Sequence, residues 1–200
     1  MKTQMRFQKI LMLVSLIVTA ITFVFGLFFL TGSLGYAGNY ISSSGTDLIG
    51  ATEFVDKSQG YVKTFINLGI VFIVLAAVLF ITSCHSRRKY YISNFIAVGL
   101  FVAFALAMVI YIFIMVGDTR NLFLNSINWN LVEVNMMAEF PMDKTESYQF
   151  AIGYVVAVIV IIDAVLLTLS TVWKVLLMRG ENELLAKSAT VESATEEEVA

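Results

Sequence analysis

The sequence predicts an all-α membrane protein: a four-transmembrane-helix bundle with both termini in the cytoplasm and a small extracellular β cap. Three observations carry this. Of 200 residues, 58% are hydrophobic, above the roughly 45–50% typical of soluble domains. The excess is gathered into four long apolar runs separated by polar stretches. Basic residues cluster beside those run ends that would share one side of a bilayer.

The runs cover residues 10–30, 65–84, 92–116 and 150–173. About 20 residues at 1.5 Å per residue cross a hydrocarbon core of roughly 30 Å. The single proline, Pro141, falls between runs and interrupts none of them. The first run follows Lys2, Arg6 and Lys9, as a signal peptide would. It is longer than the roughly 7–15 apolar residues of a signal peptide and closes on bulky Leu27, Phe28, Phe29 and Leu30. It is expected to remain as an anchor.

Orientation follows from the bases. Lys2, Arg6 and Lys9 precede the first run, Arg87, Arg88 and Lys89 fill the turn after the second, and Lys174, Arg179 and Lys187 follow the fourth. The stretches 31–64 and 117–149 hold Lys57, Lys63, Arg120 and Lys144. Nine against four places the N terminus, the turn at 85–91 and the C terminus in the cytoplasm, with 31–64 and 117–149 as outer loops. Tyr90, Tyr91 and Trp173 fall at the inner boundary, where amphipathic rings favour the headgroup layer.

Asp47, Glu53, Asp56, Asp118, Glu133, Glu139, Asp143 and Glu146 make the outer loops acidic, as a solvated surface or a cation-attracting mouth would be. The first loop opens with Gly32, Gly35 and Gly38 and a Ser-Ser-Ser-Gly stretch at 42–45, which is turn chemistry. In the second, Ile127, Asn128, Trp129, Asn130 and Leu131 alternate apolar and polar, the period of a half-buried strand. Pairing it with the first loop around residues 36–41 would build the β cap. The alternative is an amphipathic segment on the membrane, anchored by Trp129, Met136 and Met137. After Arg179 the chain turns polar and ends near Glu196, Glu197 and Glu198, so the tail 180–200 reads as acidic and largely disordered. A helical continuation through residues 181–187 is compatible with its composition.

This topology is similar to that of claudin-like tetraspan proteins. Their Trp followed by Gly-Leu-Trp, and their two loop cysteines, have no counterpart in residues 31–64. The resemblance stops at topology and assigns no family.

Inside a membrane, helices associate through close approach at small residues and through hydrogen bonds, because lipid is as apolar as leucine. Each run carries a small-residue row at helical spacing: Ser15, Thr19, Thr22 and Gly26; Gly69, Ala76 and Ser83; Gly99, Ala103 and Ala107; Gly153, Ala157, Ala164 and Thr168. The third and fourth rows match in depth, Ala107 with Ala157 and Gly99 with Thr168. They are expected to pack together, or one of them to face a partner.

No metal spacing, phosphate loop or paired carboxylate appears, and no cofactor is implied. His85 beside Cys84 is too sparse a donor set for a metal. The single cysteine forms no internal disulfide; lipidation at the membrane edge is one use for it. A net charge of -2 gives no nucleic-acid footprint. Asp163 stands out, an acid in the middle of the fourth run. A midplane acid costs at least about 2.5–3.5 kcal/mol and should face the bundle or a wet cavity. No base lies at its depth, so a neutral carboxyl partnered by hydroxyls is expected. Thr19 and Thr22 have matching depth, and Ser170 lies one heptad along its own face.

The expected function is a non-enzymatic integral membrane module, a subunit, scaffold or partner-binding component of the plasma membrane, most compatible with a bacterial cytoplasmic membrane. Its partners are the bilayer and another membrane protein or a second copy. The alternative is proton- or cation-coupled transport through Asp163.

Overall fold

The computed structural model describes residues 2–31, 52–84, 91–130 and 148–199. They form four helices: α1 (Lys2–Thr31), α2 (Thr52–Cys84), α3 (Tyr91–Asn125) and α4 (Tyr148–Val199). All four are long and apolar enough to cross a membrane. Each packs antiparallel on its neighbour in sequence, and α4 closes the ring on α1. Named pairs set the register: Phe25 with Phe65, Phe72 with Phe101, Phe113 with Tyr154, and Phe7 with Trp173. We call the end where α1 starts basal and the opposite end apical.

The buried positions explain the bundle. On α2 they include Phe54, Ser58, Val62, Phe65, Gly69, Phe72, Ala76 and Leu79. On α4 they include Phe150, Gly153, Ala157, Val160, Ala164 and Leu167. Spacings of three and four alternate, the seam of helices packed side by side. Phe72 lies stacked on Phe101 at 5.0 Å between ring centroids, within a core of buried Phe, Met and Leu side chains.

Helix α2 begins at Thr52 and α3 runs to Asn125, well past the apolar runs. Part of what the sequence reads as outer loop is therefore helix. The reason is visible in α2: Phe54, Ser58 and Val62 continue the buried row of the apolar run, and Lys57 pairs with Glu53 one turn away.

Among the described residues there is no strand. The alternation at Ile127–Asn130 is real in burial, with Ile127 and Trp129 buried and Asn128 and Asn130 exposed. Its backbone is a turn that re-enters helix at Trp129. The cause is the end of α3, whose last four carbonyls lack helical partners. Ser126 N–H donates to the Leu122 carbonyl at 2.8 Å, and the Trp129 indole N–H donates to the Phe123 carbonyl at 3.0 Å. The Trp129 ring then sits edge-on to Phe123 at 4.8 Å, which contacts Phe54 and Phe150. An aromatic plug closes this end of the bundle where a β cap is expected. The proposed partner strand at 36–41, Leu131, and the anchors Met136 and Met137 lie outside the described residues.

Helix α4 continues through Val199, whereas composition leads one to expect disorder from about Ser188. Residues 181–187 and 194–198 are rich in Glu, Leu, Ala and Lys, good helix formers that continue α4 past Gly180.

Candidate functional site

The candidate site is built where α4 meets α1. Asp163 sits on the inward row of α4 and is 3% exposed. Ser15 on α1 is fully buried, and its hydroxyl donates to Asp163 Oδ1 at 2.9 Å. The same hydroxyl reaches the Leu11 carbonyl at 3.1 Å. Ser15 has one proton for these two acceptors. That one proton is shared between the carboxyl and the carbonyl, which ties acid, hydroxyl and backbone together as burial of polar groups demands.

The sequence points to Thr19 and Thr22 as partners of Asp163; the structure selects Ser15 instead. Both threonines are buried on the inward row of α1. Their hydroxyls donate to their own helix, Thr19 to the Ser15 carbonyl at 2.7 Å and Thr22 to the Val18 carbonyl at 2.8 Å. Ser170 is also buried, but seven residues from Asp163 is about 10 Å of helical rise, too far for a bond. Of the four polar residues expected to form one group, only Asp163 has its bond across helices here. Ser15 appears in the α1 small row, so its inward position was legible; its axial match to Asp163 depends on how far α1 slides past α4.

The small rows divide unequally. On α1, Ser15, Thr19, Thr22 and Gly26 face inward, and Gly26 lies against the Phe65 ring. On α2, Gly69 lies against Phe23 and Ala76 is buried. On α4, Gly153, Ala157 and Ala164 are buried, and a methyl added at Gly153 would lie 2.5 Å from Val116 Cγ2 and 3.1 Å from Phe25 Cζ. Thr168 is exposed. The row on α3 does not pack on that of α4, as the depth match suggests. Gly99, Ala103 and Ala107 all face away from the bundle, and a methyl added at Gly99 meets open space. Helix α3 turns Phe101, Ala105, Met108 and Ile112 inward instead. With small rows of α1 and α4 already on the axis, close packing requires bulk from the opposite side.

Beside the outward α3 row, a shallow apolar groove of about 220 Å³ runs between α3 and α4, lined among others by Val102, Leu106, Ile161, Val165 and Thr168. Among the described residues no three His, Cys, Asp or Glu side chains come together. His85 lies outside them.

Comparison with protein-family models, with curated proteins and with solved structures gives no match.

Proposed function

We propose that this chain is a non-enzymatic, multi-pass membrane module that binds another membrane protein or a second copy through the outer face of α3. One observation carries the reading. Three of the four small-residue rows are used inside the bundle, while Gly99, Ala103 and Ala107 are exposed at a spacing of four on α3. In lipid, such a row is where a second helix approaches closely, and the adjoining groove offers room for larger side chains. The basal end, with Arg6, Lys9 and Arg179, belongs in the cytoplasm by the excess of bases there. Asp163 is a structural link between α1 and α4 in this reading. The transport reading gives the same acid a proton or cation to carry.

The test is copurification in mild detergent of the full chain and of Gly99→Leu and Ala103→Leu. Bulk on this row should dissociate the partner or the second copy while the monomer keeps its fold. Unchanged association would remove α3 as the contact face.

A further inference from the structure

At the apical end, away from Asp163 and from the α3 row, a polar cavity of about 250 Å³ lies between α2 and α3. Its lining is Lys57 and Tyr61 from α2 and Asp118, Asn121 and Leu122 from α3. Spacings of four on α2, and of three and four on α3, bring each set to one helix face. The Tyr61 hydroxyl donates to Asp118 Oδ2 at 2.6 Å and fixes that carboxylate, leaving acceptor capacity on Oδ1. Tyr61 is itself held, since the Tyr111 hydroxyl donates to its carbonyl at 2.9 Å. Asn125 donates its amide to Asn121 Oδ1, which leaves the Asn121 N–H groups as donors. Lys57 gives one proton to Glu53 at 2.7 Å and keeps two.

The cavity is therefore an acceptor site and a donor site with an apolar wall. Asp118 supplies the acceptor, Lys57 and Asn121 the donors, and Leu122 with the Tyr61 ring the wall. Lys57 lies four residues beyond Tyr61, about 6 Å further from the middle of the bundle. The volume is below the roughly 300 Å³ at which drug-sized sites begin, so the ligand is small. We propose that this cavity binds a small zwitterion carrying a primary ammonium and a phosphate, of the ethanolamine phosphate type. The ammonium enters first and meets Asp118 Oδ1 and the Tyr61 ring face. The phosphate stays further out, on Lys57 and Asn121. The same chemistry occurs free in water and as a lipid headgroup. In a lipid the phosphate is the end joined to the acyl chains and the ammonium the far end, the reverse of this order of depth. The free zwitterion is the better fit.

The experiment is titration calorimetry on the full chain in phospholipid-free detergent, with O-phosphoethanolamine, ethanolamine and inorganic phosphate as probes. The zwitterion should bind at least about tenfold more tightly than either half. Asp118→Asn and Lys57→Met should each weaken it by about tenfold, and Tyr61→Phe by about fivefold, with circular dichroism unchanged. No saturable binding at millimolar probe, equal binding of phosphate alone, or full binding by Asp118→Asn overturns the proposal. Nanodiscs separate the sources. Probe binding unaffected by phosphatidylethanolamine in a phosphatidylglycerol bilayer identifies the free zwitterion; binding about tenfold weaker identifies the lipid headgroup.

Discussion

Ser15 and Asp163, 148 residues apart in sequence, meet at 2.9 Å and tie the first helix to the last. In the described structure this is the polar bond that closes the helix ring. Interhelical hydrogen bonds in membranes average only about 0.6 kcal/mol, and leaving a buried polar group unpaired costs about 1–3 kcal/mol. Ser15→Ala should therefore lower resistance to denaturing detergent by about 1 kcal/mol or more. Asp163→Asn should leave it nearly unchanged, because the amide oxygen still accepts from the Ser15 hydroxyl. Cellular phenotype decides the role: a normal phenotype in Asp163→Asn rules out transport through the acid, and a lost phenotype at normal folded yield rules out a purely structural one. We expect the amide to be tolerated.

Two glycines give opposite outcomes. At Gly153 an added methyl meets Val116 and Phe25, so Gly153→Ala should cost about 1–3 kcal/mol by overpacking. At Gly99 it meets open space, and Gly99→Ala should stay within about 0.5 kcal/mol. Detergent unfolding of both variants checks the assignment of inward and outward rows. Equal losses would contradict it.

Trp129 closes the apical end through its ring and its N–H. Trp129→Phe keeps an aromatic ring but frees the Phe123 carbonyl, a loss of about 1 kcal/mol. Trp129→Ala removes both contributions, about 3–5 kcal/mol. Hydrogen exchange of amides in residues 123–130 should quicken in that order. Exchange unaltered by Trp129→Ala would show that the plug does not hold the end of α3.

For topology, a cysteine at Ser126 in a Cys84→Ala background should react with an impermeant thiol reagent applied to intact cells. One at Ser188 should react only after the membrane is opened. The reverse pattern would invert the proposed orientation and place the zwitterion cavity on the cytoplasmic side.

Four helices were legible in the sequence because a run of about 20 apolar residues is a property of the chain read in one dimension. Asp163 was legible in the same way, as a cost within such a run. Which face of each helix turns inward was not. The four runs are apolar all round, so no contrast between a wet and a dry side marks the inner face, and the small rows read alike on all four. Packing chose between them: Phe101 and Met108 fill the axis opposite the small rows of α1 and α4, and that rotation turns Gly99, Ala103 and Ala107 outward. The same freedom governs axial offset. Ser15, Thr19 and Thr22 all offer a hydroxyl on one face, and only the slide of α1 against α4 decides that Asp163 meets Ser15. The turn at Trp129 was hidden for a related reason. Alternating burial looks the same in a strand and in a chain folded back on a helix end, and it is the unpaired carbonyls of α3 that favour the latter here.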